Sequence, residues 1–193
     1  MATLSVGGTT VFDGSALQSG VTGDVSGVTT FPAGMVIQTL NDVQVNTQAF
    51  TSSTFTDSRL IIPITPKRTG SKMLLMTDVK VSWNIGVSQA GMKITRHPAG
   101  GSEVDVKVGT VTSGNQIPVN GHFYIGLQGG MIPMTSILLD ELTVTKDVVI
   151  TYTVQISSLN NAGTIYINRG DAFTDDSSIG CPTSSLTVME VAQ

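Results

Sequence analysis

The sequence predicts an all-β protein: an antiparallel β-sandwich or jelly roll carrying an extended N-terminal arm. Three observations predict it. Thr (26) and Val (22) make up about a quarter of the 193 residues, and β-branched side chains lose freedom in helices but suit a pleated sheet. Apolar segments of strand length, about ten of them, recur between turn signals from Met35 onward. No segment holds a 3.6-residue apolar period over the length of a helix. A chain of this length can bury one sizeable core, with or without an arm, but is short for two ordinary domains.

Residues 1 to 34 stand apart. Gly, Ser and Asp at Ser5 to Gly8, Asp13 to Ser15, Ser19-Gly20, Thr22 to Asp24 and Ser26-Gly27 interrupt each apolar pair before a run can form. Thr9 to Phe12 is strand-like, yet an isolated hairpin is marginal, so the segment reads as an arm ordered against something else. Its apolar anchors are Leu4, Val6, Val11, Phe12, Leu17 and Phe31. Phe31-Pro32-Ala33-Gly34 marks the boundary with turn chemistry. The core domain, residues 35 to 193, opens with a strand at Met35 to Leu40.

Further strands are expected at Arg59 to Ile64, Lys72 to Trp83, Ala90 to His97, Glu103 to Val108 and Phe123 to Leu127. Ser136 to Val144, Val148 to Ile156, Thr164 to Arg169 and Ser185 to Val191 complete the set. Lys72 to Trp83 alternates clearly: Met73, Leu75, Val79, Val81 and Trp83 share one face, with Thr77 the exception among them. Val148, Ile150, Tyr152, Val154 and Ile156 do the same. Asn160-Asn161-Ala162-Gly163 supplies residues that tolerate positive φ and predicts a hairpin between its flanking strands. Pro133 cannot donate to a central ladder, so Gly129 to Met134 reads as a crossing between elements.

Charged residues are only 12% of the chain and the net charge is -4. Residues 1 to 58 hold four acids and no base, while the rest hold ten of each. Without a basic cluster the chain lacks the footprint of nucleic-acid binding. No run of 18 apolar residues and no cationic, apolar leader is present, so neither a membrane span nor a secretory signal is expected. Cys181 stands alone, which excludes an intrachain disulfide and a thiolate zinc site; a small buried role is the commoner one for such a residue. His97 and His122 have no metal-ligand spacing, and no Gly-x-Ser-x-Gly elbow is present. No catalytic residue, metal ligand or cofactor is therefore assigned. Asp140-Glu141 reads as a pair of solvated charges. Asp171, Asp175 and Asp176 crowd one loop, the better candidate for a cation or a receptor contact. Arg169-Gly170-Asp171 reads as a turn. Trp83 and Tyr152 fall on core faces, leaving Tyr124 and Tyr166 as the aromatics open to a ligand.

Three stretches carry a resemblance. Phe55-Thr56-Asp57 leads through a short strand to Ile64-Thr65-Pro66, a polar turn, Ser71-Lys72 and a long apolar strand. Ile150 to Ile156 is followed by Thr164 to Arg169, and the chain closes on Ser184-Ser185-Leu186-Thr187-Val188-Met189-Glu190-Val191. In order and spacing these resemble a β-rich, tail-fibre-like domain of virion structural proteins in tailed bacteriophages, especially marine phages and cyanophages. The resemblance implies a non-enzymatic component of the virion surface, made in the host cytoplasm. An arm plus one sandwich looks most like a small capsid decoration (cement) protein or a short head or tail appendage. The alternative is a tail-fibre receptor-binding module for host surface glycan, using loops at Gly86 to Gly91, Thr110 to Val119 and Asp171 to Cys181. Either implies a homo-oligomer, a trimer by resemblance, beside the major capsid protein or tail proteins, with neither nucleic acid nor membrane as partner.

Overall fold

The computed structural model describes residues 3–6, 9–13, 16–17, 32–84, 88–112, 114–125, 131–159, 163–170 and 180–193. The chain divides into two compact units, Met1–Phe31 and Pro32–Gln193. Among the described residues there is no helix, and hence none long enough to cross a membrane. In the first unit β1 (Thr3–Val6), β2 (Thr9–Asp13) and β3 (Ala16–Leu17) form an antiparallel meander. Its register sets Leu4 opposite Phe12 and Phe12 opposite Leu17.

The second unit is a two-sheet antiparallel sandwich. One sheet contains β6 (Thr56–Ile64), β12 (Ile150–Ser158) and β8 (Ser88–Pro98), in that order. The far edge of β8 is shared by β10 (Gly121–Ile125) and the short β9 (Val104–Asp105). The other sheet is built on β7 (Lys72–Trp83). Along one edge of β7 runs β11 (Ile132–Asp140). Along its other edge lie β14 (Ser184–Val191) and then β13 (Ile165–Ile167). These pair outward with β4 (Val36–Gln44) and β5 (Gln48–Phe50) respectively. Each sheet is therefore four strands wide, and the connections β5–β6, β6–β7, β7–β8, β10–β11, β11–β12 and β12–β13 each pass from one sheet to the other.

Alternation explains why the sheets face each other. Met73, Leu75, Val79, Val81 and Trp83 of β7 are buried against Met92 and Ile94 of β8, Ile150, Tyr152, Val154 and Ile156 of β12, and Leu60, Ile62 and Ile64 of β6. Thr77, the polar residue in the apolar series, keeps the inward phase and sets its hydroxyl 3.9 Å from the Met92 sulfur. The Pro32–Met35 turn is closed by the Met35 N–H donating to the Pro32 carbonyl (3.1 Å), with Gly34 at φ +85°; that conformation is why glycine stands third in a turn of this type.

Four expectations are corrected. Asn160 to Gly163 does not join a hairpin: β12 has both edges occupied, by β8 and β6, so the chain must leave for the other sheet, where β13 pairs with β7 and β5. Met134 and Pro133 do not cross between elements but belong to β11, an edge strand among the described residues, where a missing N–H costs nothing. β11 also ends before Val144, at Asp140, whose carboxylate turns inward and accepts the Leu142 N–H at 3.2 Å. The Glu103–Val108 strand shrinks to β9 because Lys107 takes φ +46°, outside any strand.

The open edges of β4 and β6 are closed by side chains. Asp42 accepts the Ile61 N–H at 2.9 Å, and the Gln38 amide donates to the Thr65 carbonyl at 2.8 Å. At the same edge Glu190, fully buried on β14, accepts the Lys67 and Arg68 backbone N–H groups (2.9 and 3.0 Å), the Ser71 hydroxyl (2.8 Å) and the Gln38 amide (2.6 Å). One carboxylate thus folds the β6–β7 turn, which carries Gly70 at φ +85°, onto the last strand. Glu190→Ala strands those donors, and we expect a loss of about 3 kcal/mol in urea unfolding; an unchanged midpoint would refute this account of the turn.

Candidate functional site

Asp171, Asp175, Asp176 and Phe31 fall outside the described residues. Leu4 is placed on β1 with Val6, Val11 and Phe12 lie on β2, and Leu17 is on β3. Cys181 is exposed rather than buried, because it precedes β14 on a stretch outside both sheets. Among the described residues no three His, Cys, Asp or Glu side chains gather as a metal-binding group. The His97 ring nitrogen Nε2 sits 2.9 Å from the Gly101 carbonyl in the turn after β8. Tyr166 is buried, not open to a ligand, with the Arg169 guanidinium 4.6 Å over its ring.

Asp140 is not a solvated charge. It is 2% exposed and joins the two sheets: Arg96 Nη1 donates to Oδ1 at 2.6 Å and the Tyr152 hydroxyl to Oδ2 at 2.9 Å. Arg96 and Tyr152 are cross-strand partners on β8 and β12, while Asp140 ends β11 in the other sheet. Burial pushes the Tyr152 phenol well above its ordinary range, and the Asp140 carboxylate beside it pushes the same way, because an ionised phenolate there would face a second negative charge. Its neighbour Glu141 is the exposed member of the pair, held below the usual carboxylate range by a hydrogen bond and charge attraction from Lys107 at 2.8 Å.

Among the described residues, two surfaces are open to another molecule. The first is the outward face of the β7 sheet. Residues directly opposite share a face, so Ile137, Met76 and Thr187 form one row and Leu139, Leu74 and Met189 the next. Val191 and Val36 extend the apolar area at the β14–β4 end. Ile137 is 70% exposed, and Leu139, Met76 and Val36 are exposed as well. The outward face of the other sheet is mostly polar, with Lys93, Thr95 and His97 beside Gln155, Thr153 and Thr151; Thr95 and Thr153 are covered there, and Ile61 opposite Thr153 is exposed.

The second surface is a cleft of about 580 Å³ at the β10 edge, beneath the loop Thr110–Val119. Gln89, His122 and Leu159 supply its floor and Asn115, Gln116 and Ile117 part of its wall. It uses one of the three loops that the sequence singled out, together with the β8 end of a second.

No protein-family model matches the chain, and a search of curated proteins finds no similar one.

Tyr152 gives the buried network a measurable signature. The unfolded chain loses its phenol proton near pH 10, while the folded state holds it, so the folded state binds more protons above that pH. Stability attributable to this group is intact below about pH 10 and declines by about 1.4 kcal/mol per pH unit above it. In denaturant melts at stepped alkaline pH, Tyr152→Phe is expected to be less stable at neutral pH by about 1 kcal/mol and to show a shallower alkaline decline. Parallel curves for the two proteins would contradict the buried phenol–carboxylate contact.

Proposed function

We propose that this chain is a non-enzymatic structural component of the exterior of a tailed-phage virion, a small capsid decoration or short head or tail appendage protein. The observation that carries the reading is the exposed apolar face of the β7 sheet, set on a sandwich whose core side chains pack between the two sheets. A protein that works by such a face acts through buried area rather than through a reacting group. Burying Ile137, Leu139, Met76 and their neighbours against an adjoining virion subunit, a second copy in a trimer or the capsid or tail protein beneath, yields roughly 25 cal/mol for each Å² of apolar surface removed from water.

The N-terminal unit supplies the second attachment. The meander register sets Leu4, Phe12 and Leu17 in one row, an arrangement suited to clamping a neighbouring subunit, with Val6, Val11 and Phe31 as further anchors. The resemblance of the stretches from Phe55 to Val191 to phage virion domains supports the same reading. The Glu190 contacts give two of those stretches a physical link, since the polar turn after Ile64-Thr65-Pro66 is held by the terminal strand. A second reading, a tail-fibre module that binds host surface glycan, is favoured by the cleft beneath Thr110–Val119.

Cryo-electron microscopy of intact particles tests the location: density over the head supports decoration, density on the tail an appendage or fibre, and absence from the particle refutes the virion reading. Deleting residues 2 to 30 is expected to leave a folded core that no longer joins particles; normal incorporation of that deletion would refute attachment through the N-terminal unit. Ile137→Lys in the full chain is expected to weaken self-association or particle binding at least tenfold, as the loss of one well-buried anchor does, with the unfolding midpoint unchanged.

A further inference from the structure

We infer that the cleft beneath the Thr110–Val119 loop is a binding site for a neutral saccharide. The inference deepens the glycan reading above and does not depend on where the protein sits in a particle.

The cleft is built before any ligand arrives. Asn120 holds both ends of the loop: its Oδ1 accepts the Ile94 N–H at 2.6 Å, its Nδ2 donates to the Val106 carbonyl at 2.7 Å, and its own N–H donates to the Met92 carbonyl at 2.8 Å. The Gly109 N–H donates to the Val119 carbonyl (3.2 Å), and Gln116 Oε1 accepts from the Thr112 backbone and hydroxyl, both at 3.0 Å. Glycine at 91 leaves room for the floor. A Cβ there would stand 2.9 Å from Leu159 Cδ2, so any side chain at residue 91 would oblige Leu159 to shift. Pre-formed walls spare a ligand the entropy of ordering them.

The lining states what fits. Among the described residues the lining has no Lys, Arg, Asp or Glu, and His122 is the titratable side chain there, so the cleft offers no fixed charge to an anionic or cationic ligand. The volume is that of a small-ligand pocket. Gln89 and Asn115 make no side-chain hydrogen bond within the described residues, and each amide offers two donors and an acceptor. A purely apolar ligand would strip water from these amides and return nothing. A sugar answers both needs: its hydroxyls donate and accept, and its C–H faces pack on apolar surface such as Leu159 and Ile117. Tyr124 completes the pattern. It is 61% exposed, directly opposite Gln89 in the ladder and two residues from His122 on the same strand face. A ring at that register position, on the face it shares with the lining residues Gln89 and His122, offers a flat platform with a polar tip.

The test titrates the full chain by calorimetry with neutral gluco-, galacto-, manno- and xylo-oligosaccharides, and with sialylated and sulfated oligosaccharides as charged comparators. At least one neutral series is expected to bind in the micromolar-to-millimolar range, the charged ones no better. Gln89→Ala, Asn115→Ala and Tyr124→Ala are each expected to weaken that binding about tenfold, the loss of one hydrogen bond or stacking contact. Asn115 and Tyr124 are exposed and Gln89 is half-buried on β8, so the unfolding midpoint serves as a folding check, and Ile137→Lys on the other sheet should bind as wild type. Stronger binding of the charged set would overturn the neutral-ligand assignment. Neutral-sugar binding unaffected by all three variants would overturn the cleft while leaving glycan recognition standing. No saccharide binding at all would overturn both, and the virion reading would still rest on the particle density.

Discussion

A carboxylate removed from water has to be met by donors on nearly every side, and the position of Glu190 makes that requirement organise the sandwich. It lies on the last strand, between β4 and β7, and its four donors come from β4 and from the turn that carries the chain from one sheet to the other. The β6–β7 connection, the open edges of β4 and β6 and the terminal strand are therefore one structural unit. Folding this unit requires residues more than a hundred positions apart in sequence to arrive together. Such non-local closure is the ordinary cost of sandwich topology.

Asp140 repeats the logic at the interior, and the two carboxylates differ in what they bind. Glu190 is satisfied largely by backbone N–H groups and so shapes a turn. Asp140 is satisfied by an arginine and a phenol from the opposite sheet and so fixes how the sheets face each other. Both of these buried carboxylates are thus met by donors from within the chain. The two sheets are unlike on their outward sides: one presents an apolar face and the other a mostly polar face bordered by a cleft.

The alternation in Lys72 to Trp83 was legible because every inward residue except Thr77 is apolar, and the strand has those bounds. The terminal strand was legible as an apolar, β-branched segment of strand length rather than by alternation, since its inward series ends on Glu190 and its outward one holds Met189 and Val191. Gln48–Phe50 was not, since three residues are too few to show a period, and its pairing with β13 exists only in the assembled sheet. Glu190, Arg96 and Asp140 could have been suspected: Glu190 keeps the phase of Leu186 and Val188, and Arg96 that of Met92 and Ile94. A polar residue in an apolar phase is a signal of a buried pair, but its partner is not named by periodicity. Asp140 was misread for that reason, next to the exposed Glu141. The cleft was partly legible as a loop, Thr110 to Val119, whereas Gln89, His122 and Leu159 come to it from three separate strands or strand ends.

The sequence by itself determined the class of structure, because β-branched composition, period-two alternation and turn residues are local properties that each segment carries wherever it lies. It also determined which residues would face inward along the longer strands. Tertiary structure decided which strands became neighbours, which edges stayed open, and whether a given acid was solvated or buried. These depend on which partner occupies each strand edge, a contest among distant segments. β12 shows it most plainly: with β8 and β6 on its two sides, the turn-forming Asn160 to Gly163 could lead only to the other sheet.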